Sequence, residues 1–377
     1  GNTRSVRIPK EAKVINVNGK TIIPGFVETH AHYFGIKKGL LDRQNWTFIA
    51  NVAWGVTTGL DVQTSTNDPF AYQDLVDAGQ MIGPRAFSTG PGIFSQNNFQ
   101  SKEEAIGLMK RYRDHYRTRN LKSYIAGNRK QRNYIVQAAN ELGMMPTTEG
   151  ALDLKLDLTH AIDAFHGNEH NFPITPLYKD VVELVAQSGM TYTPTLLVTY
   201  GGPWGENFYY ATEEVHDDPK VKRFVPDNII QSKTRRVPWF RKDEYAFSKI
   251  AKDATKIIRA GGLVGVGGHG QFNGLGYHWE LWSLHSGGMS EMEALRAATI
   301  NGAKIIGVSG DIGSIEYGKL ADLVILDKDP LVNIRNTNSI KYVMKNGVLY
   351  EGDTMNEIWP NPKELDPQWW WNDGPEN

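Results

Sequence analysis

The chain has 377 residues, of which 40% are hydrophobic and 22% are charged, as expected for a soluble globular protein with one large domain and a small one. Its 41 basic and 42 acidic residues give a net charge of −1, which argues against nucleic acid or an anionic membrane as the main partner. No apolar run reaches the roughly 18–20 residues that a membrane span needs. Cysteine is absent, which excludes disulfides and thiolate chemistry within this chain.

Strand-like and helix-like patterns alternate along the chain from about residue 21 to residue 307. Eight β-α units in a chain of this length are typical of an α/β TIM barrel, and an open doubly wound sheet is the weaker alternative. The predicted strands are 22–29, 55–62, 85–89, 121–125, 144–149, 168–172, 191–198 and 263–268, and the predicted helices include 69–78, 101–119, 130–142, 177–188, 245–260 and 290–306.

The two ends of the chain differ from this alternating region. Residues 1–21 and 312–358 contain β-rich stretches and turn signals, and they predict the two parts of one small β-sandwich, with the barrel over 22–311. Residues 199–243 are a long insertion after the seventh strand, and loops of that length are usually lids or binding loops. Residues 359–377 form a tail with three consecutive tryptophans, which is either a docked or flexible tail or a contact with another domain or chain.

His30 and His32 are the most informative residues in the sequence. They end an apolar run that reads as a buried strand, and residues two apart on a strand point to the same face. Both imidazoles therefore point at one spot, and imidazole nitrogen is a preferred ligand of zinc and similar metals. A bare His-x-His pair is also compatible with two surface histidines, but the end of a buried strand favours a metal site.

Other polar residues stand where the predicted strands end, which is where a TIM barrel keeps its catalytic groups. Lys122 lies in the fourth strand, Glu149 ends the fifth, and His170 and His269 follow the sixth and the eighth. A lysine in an apolar strand is costly unless it is neutralised, either as a carbamate formed with carbon dioxide or by pairing with a carboxylate. We expect these residues to complete the metal site with His30 and His32.

The insertion brings candidate substrate contacts. Tyr200 and Trp204 begin an aromatic stretch that is expected to overhang the barrel mouth and line an apolar pocket. His278, on a predicted helix after the eighth strand, is a further candidate, although a structural role for it is the simpler interpretation.

Four stretches of the sequence together resemble the amidohydrolase superfamily of metal-dependent hydrolases. The run KTIIPGFVETHAH at 20–32 resembles its first strand, GVTT at 55–58 its second, and EALRAATINGA at 293–303 followed by GSIEYGKLADLVILD at 313–327 its closing helix and β-sandwich. The likeness covers nearly the whole chain and is closest to the imidazolonepropionase- and prolidase-like branch, especially to members that follow a β-propeller region. It implies an upstream propeller domain or chain and, by analogy, a periplasmic or secreted protein.

Two positions depart from the family pattern, which has a histidine where this chain has Glu149 and a metal-binding aspartate, usually the general base, where it has His269. The resemblance implies one or two divalent ions, zinc first, and Lys122 matches the position that is carbamylated in members with two metals. Such an ion would activate water against an amide carbonyl. His269 is the first candidate to bring a proton to the leaving nitrogen, and Glu149 takes this role if His269 binds metal.

The leading functional hypothesis is therefore a metal-dependent hydrolase of carbon–nitrogen bonds in amides or cyclic amides, acting on a small molecule, and we also expect a homo-oligomer. A dipeptidase that cuts before proline is a close alternative. From another class, the chain is a catalytically silent module that supports a partner propeller, an alternative favoured by the missing aspartate. The costly polar groups at the predicted barrel mouth argue against a silent module.

Overall fold

The computed structural model describes residues 8–32, 41–64, 70–94, 96–150, 152–235 and 237–371. Two parallel sheets form its central part, one with the strand order β2-β3-β4 and one with the order β5-β6-β7-β8. These strands are β2 (Phe26–Ala31), β3 (Val56–Asp61), β4 (Arg85–Ser88), β5 (Asn120–Tyr124), β6 (Met145–Glu149), β7 (Gly167–Glu169) and β8 (Thr191–Thr193).

Isolated parallel bridges lie between these sheets. Ile93, which follows β4, bridges to Ser123 of β5, while Tyr192 of β8 bridges to Val264 and Glu28 of β2 bridges to Val266. The predicted eighth strand is thus reduced to single bridges. With helices between the strands, these parallel sheets give a TIM-barrel-like α/β fold.

Helices follow most of the strands. All six helical segments predicted above contain helix, and α1 is an additional helix that the sequence patterns missed. The helices of the α/β region are α1 (Trp46–Ala53), α2 (Ala71–Asp77), α3 (Lys102–Asp114), α4 (Arg129–Leu142), α5 (Leu154–Ile162), α6 (Lys179–Ser188), α7 (Gly205–Thr212), α8 (Pro219–Phe224), α9 (Asp227–Thr234), α10 (Phe247–Arg259), α11 (Leu275–His285), α12 (Glu291–Arg296) and α13 (Gly302–Ile305), with a π-helical turn at Ala297–Asn301 between the last two.

The described part of the insertion at 199–243 contains the helices α7, α8 and α9. Asp218 caps α8 by accepting hydrogen bonds from two backbone amides of its first turn. No described helix has the length and apolarity that crossing a membrane requires.

A separate antiparallel sheet combines both ends of the chain, in the order β1-β9-β10-β11-β12. Its strands are β1 (Thr21–Pro24), β9 (Leu323–Leu326), β10 (Ile340–Lys345), β11 (Val348–Glu351) and β12 (Glu357–Trp359). The described strands at the two ends form this single sheet, so a second layer that would make it a sandwich stays a prediction. Residues 8–20 contain no strand, although the sequence suggested β structure there.

The strand predicted over 22–29 is divided between the two parts of the fold. β1 pairs with β9 in the antiparallel sheet, while β2 pairs with β3 in a parallel sheet. Gly25 lies between them and donates its amide to the carbonyl of Asp322. A Cβ at Gly25 would lie 2.1 Å from Oγ1 of Thr57, so only glycine lets the chain change sheets here.

The described part of the tail docks on its own chain. Trp371 donates its indole N–H to the carbonyl of Arg223 at 2.6 Å, and the guanidinium of Arg223 lies 4.2 Å from the centre of the Trp371 ring. Trp370 is 6% exposed, whereas Trp369 is 66% exposed. The docked alternative therefore accounts for two of the three tryptophans.

We predict that Gly25→Ala lowers the free energy of unfolding by about 1–3 kcal/mol, because the new methyl group overlaps the side chain of Thr57. Urea denaturation measures this change. Gly107→Ala is the matched control, since Gly107 is an exposed residue within α3 and no atom lies within 4 Å of its added Cβ. The control is expected to stabilise the protein by about 0.5–1 kcal/mol. Equal effects of the two substitutions would show that Gly25 is not sterically required.

Candidate metal centre and active site

Strand ends bring the predicted metal-site residues together. His30 lies in β2 and His32 directly after it, while Glu149 ends β6 and His170 follows β7. His269 follows the segment that bridges to both β2 and β8. All these positions are at the carboxyl ends of parallel strands, which is the catalytic face of this fold.

The imidazoles of His30, His32, His170 and His269 form one cluster. The ring centres of contacting pairs are 4.5–5.2 Å apart. His30, His170 and His269 each offer a ligand atom, and these atoms all lie within 4.8 Å of one another. The Nε2 atoms of His30 and His32 are 3.1 Å apart. Another group of metal-binding residue types, Glu214, His216 and Asp217, is exposed in the insertion.

Three of these imidazoles are held through Nδ1. The Nδ1 atom of His30 lies 2.6 Å from Oε2 of Glu169, and the Nδ1 atom of His170 lies 2.7 Å from the hydroxyl of Thr195. The Nδ1 atom of His269 lies 3.2 Å from the side-chain amide of Gln271. These contacts leave Nε2 of each ring facing the cluster, where Nε2 of His30 meets His32 and Nε2 of His170 lies near Glu149. Contacts of this kind are how proteins orient metal-binding histidines.

The surroundings of the clustered histidines favour the neutral form of their imidazoles. Burial is the main cause that lowers the pKa of His30 and of His170 well below its usual value, and Lys122 lowers both further. Burial, with His32 and Lys122 nearby, lowers the pKa of His269 to about 3. Neutral imidazole is the form that binds metal, so the environment favours ligation.

Lys122 and Glu149 form a buried ion pair beside the imidazoles. Nζ of Lys122 lies 2.6 Å from Oε2 of Glu149, and their side chains are 2% and 4% exposed. The same carboxylate oxygen lies 3.4 Å from Nε2 of His170. Of the two ways of neutralising Lys122 considered above, this structure contains the carboxylate pair, and a carbamate stays a prediction.

Glu28 connects β2 to the segment around Val266 that bridges to it. Its carboxylate accepts hydrogen bonds from the backbone amides of His30 and Gly268 at 2.9–3.0 Å. His269 in turn donates its backbone amide to the carbonyl of His30. These contacts place the backbones of His30 and His269 side by side.

Three of the nine described non-glycine residues with positive φ lie at this site. His170, Thr195 and His269 have φ values of 66°, 47° and 60°, in the left-handed region that non-glycine residues rarely adopt. Such conformations cost about 1–3 kcal/mol each and persist only where the surroundings impose them. The strain turns these side chains toward the cluster at the ends of their strands.

The three residues predicted to contact substrate, Tyr200, Trp204 and His278, lie in different surroundings. The Tyr200 ring packs 5.3 Å from the His170 ring, at the cluster, while Trp204 is 48% exposed and precedes α7. His278 is fully buried in α11, where its ring nitrogens contact Oγ1 of Thr337 at 3.0 Å and the carbonyl of Trp54 at 2.9 Å. The prediction that His278 contacts substrate is therefore wrong, because both nitrogens are engaged within the protein core.

Several residues of the site were not identified from the sequence. Glu169 is adjacent to His170, and this position beside a candidate ligand was the available signal. Glu28 shares a strand face with His30, since the two are two residues apart. The contacts of Thr195 and Gln271 with histidines depend on the fold and had no signal in the sequence.

The fold and the imidazole cluster define a TIM-barrel-like protein with a candidate metal centre at its strand ends. The chain belongs to the amidohydrolase family, whose model matches residues 21–350. The imidazolonepropionase of Clostridium tetani is 23% identical to it over 351 residues, which cover 84% of this chain and 78% of that protein.

Two further similar proteins match very different shares of this chain. The imidazolonepropionase of Symbiobacterium thermophilum is 59% identical over 39 residues, which cover 10% of this chain and 9% of that protein. Among solved structures, a Xaa-Pro dipeptidase with bound methionine in its active site has a TM-score of 0.65 and 19% identity, covering 92% of this chain and 90% of that chain. These relatives agree with the predicted imidazolonepropionase- and prolidase-like branch of the family.

We predict that Lys122→Met lowers the free energy of unfolding by about 3–5 kcal/mol, because it leaves the buried Glu149 carboxylate without its partner. Lys122→Met/Glu149→Gln should recover most of this loss, since no buried charge is then unpaired. Urea denaturation of metal-free protein measures both changes.

The control is Lys102→Met, which removes one member of the exposed Lys102–Glu141 pair at 2.8 Å and should leave stability nearly unchanged. A double variant no more stable than Lys122→Met would contradict the strong energetic coupling of Lys122 with Glu149.

Proposed function

We propose that this protein is a metal-dependent hydrolase that cleaves carbon–nitrogen bonds in amides or cyclic amides of small molecules. The observation that carries the proposal is the cluster of four imidazoles at the strand ends, beside a buried lysine–carboxylate pair. Membership of the amidohydrolase family and the likeness to imidazolonepropionases support the reaction class.

The donor set fits a divalent cation. Two nitrogens bound to one zinc ion at about 2.0–2.1 Å lie roughly 3–3.4 Å from each other. The Nε2 atoms of His30 and His32 are 3.1 Å apart, which is within this range. Glu169 accepts the Nδ1 hydrogen of His30, so that its Nε2 lone pair is free for a metal.

In the proposal, His30, His32 and His170 hold the cation, with zinc the first candidate because imidazole suits it. A divalent ion at this position supplies Lewis acidity and lowers the pKa of a bound water toward ~7. The Glu149 carboxylate, 3.4 Å from Nε2 of His170, is close enough to join the ligands or to contact a bound water. A second ion and a carbamate on Lys122 remain compatible with this arrangement.

The remaining side chains act on the substrate in this proposal. His269 faces the reacting carbonyl as a neutral imidazole, because its pKa of about 3 leaves almost no imidazolium for proton delivery. Glu149 is then the group that would take a proton from the attacking water and deliver it to the leaving nitrogen, a role predicted for it from the sequence only for the case in which His269 binds metal. Tyr200, packed on His170, lines the substrate side of the cluster.

We also infer that the strands close into a barrel. The parallel bridges from Ile93 to Ser123, from Tyr192 to Val264 and from Glu28 to Val266 support this inference, because they lie where the two parallel sheets would otherwise have open edges. A closed barrel would explain why residues from distant strands converge on one point.

A dipeptidase that cuts before proline is the second candidate. The solved Xaa-Pro dipeptidase supports the fold of such an enzyme, and its likeness extends over most of both chains. The silent-module alternative is less consistent with the buried Lys122–Glu149 pair and with the positive φ values of His170 and His269, because both features are costly to stability.

We predict that protein purified without a nickel column contains one or two divalent ions per chain, and that His30→Ala/His32→Ala loses them, because it removes two of the proposed ligands. Plasma mass spectrometry gives the metal content. His216→Ala is the control, since it alters the exposed Glu214, His216 and Asp217 group and should retain the metal. Wild-type protein that holds no metal after zinc supplementation would contradict the proposal of a metal-dependent hydrolase.

We predict that His269→Ala lowers turnover by about 10²–10³-fold while the metal content stays unchanged, because the substrate carbonyl loses a hydrogen-bond donor. The assay is a screen of cyclic amides and Xaa-Pro dipeptides with the wild-type enzyme, followed by kinetics on the best substrate. Loss of metal together with activity would show instead that His269 is a ligand.

An upstream β-propeller, a homo-oligomeric state and a periplasmic or secreted location also remain predictions of the sequence.

A further inference from the structure

A chain of polar contacts runs from the insertion to His269. Glu206 of α7 is buried, and its Oε2 atom lies 3.4 Å from Nζ of Lys233 in α9. The same Nζ lies 3.2 Å from Oε1 of Gln271, whose Nε2 lies 3.2 Å from Nδ1 of His269. Two helices of the insertion are thereby connected to one imidazole of the cluster.

Lys233 determines which way the Gln271 amide faces. A lysine ammonium has three donors and no acceptor, so only the oxygen of the amide is a favourable neighbour for it. The amide NH2 group therefore faces His269. Turning the amide over would place this NH2 group against the ammonium and break the contact.

The amide orientation in turn decides the proton position on His269. Because Gln271 donates to Nδ1, this nitrogen must carry a lone pair, and the proton of the neutral ring is on Nε2. His30 has the opposite arrangement, since the Glu169 carboxylate is an acceptor and places the hydrogen on Nδ1. One imidazole thus offers a lone pair to the cluster, and the other offers an N–H.

We propose that Lys233 and Gln271 are positioning residues that hold His269 in the Nε2–H tautomer, so that His269 is a hydrogen-bond donor to the substrate and not a metal ligand. The proposal rests on the hydrolase function, in which negative charge develops on the carbonyl oxygen. An N–H directed at that oxygen stabilises the charge without any proton leaving the imidazole.

This arrangement gives the insertion a role in catalysis. Lys233 is 32% exposed, whereas its partner Glu206 is 7% exposed and also lies 3.5 Å from the hydroxyl of Tyr210. The buried carboxylate therefore anchors the ammonium beside Gln271. A correctly seated insertion is then required for the donor tautomer of His269.

The direct test is the protonation of each ring nitrogen in protein labelled with 15N-histidine, read by long-range 1H–15N correlation NMR. The His269→Ala variant assigns the resonance. We expect a protonated Nε2 and an unprotonated Nδ1 for His269, both without metal and with zinc added. A protonated Nδ1, or an Nε2 whose resonance shifts on direct zinc binding, would overturn the proposal. This result does not depend on activity, so it stays distinguishable from a failure of the hydrolase function.

Two variants test the positioning residues. Gln271→Glu replaces the donor with an acceptor and should move the His269 proton to Nδ1, lowering kcat by about 10–100-fold with little change in KM or metal content. Lys233→Met removes the ammonium and should reduce the population of the Nε2–H tautomer. Lys222→Met, an exposed lysine in α8 of the same insertion, is the control and should leave the tautomer unchanged. An unchanged tautomer in Gln271→Glu and Lys233→Met would contradict the proposal.

Discussion

The hydrogen bond between Glu169 and His30 is the interaction on which the site depends most. It connects β7 to β2 across the strand ends with a 2.6 Å contact between two side chains that are almost fully buried. Glu169 also accepts a hydrogen bond from Thr147 of β6 at 2.5 Å, so its own position is determined. Because the carboxylate faces Nδ1, the other nitrogen of His30 points at the remaining imidazoles.

The polar groups around this bond are costly to bury and are satisfied by one another. The Glu28 carboxylate accepts hydrogen bonds from two backbone amides, and burial raises the pKa of Glu28 well above the usual range. Lys122 is neutralised by Glu149. Replacing such pairs by apolar side chains is often neutral or stabilising, so stability alone does not account for them. A catalytic function of the strand ends does account for them.

Much of this centre follows from the sequence because its residues are tied to strand ends. The two-residue spacing of His30 and His32 was one signal that these residues converge. The other was that Lys122 lies in a predicted strand and that Glu149, His170 and His269 stand at or after strand ends. The same reasoning failed for His278, since a helix periodicity does not tell whether a histidine faces the mouth or the core. Its two buried contacts decide this only in the folded chain.

The features that the sequence did not predict depend on contacts between segments that are distant along the chain. The boundary at Gly25 arises from the approach of Thr57, and the helices of the insertion form where the sequence suggested only a long loop. The contact between Lys233 and Gln271 joins residues 38 positions apart, with no periodic pattern to indicate it. The proposed donor tautomer of His269 is argued from that contact and was therefore not accessible from the sequence.

The most direct measurement for the proposed metal centre is X-ray absorption at the zinc edge of the zinc-loaded protein. The account predicts a nitrogen shell at about 2.0–2.1 Å with the outer scattering of imidazole rings, and a weaker imidazole contribution in His170→Ala but not in His269→Ala. A shell of oxygen atoms without imidazole scattering would mean that the histidine cluster does not bind the metal, and would contradict the proposed active site.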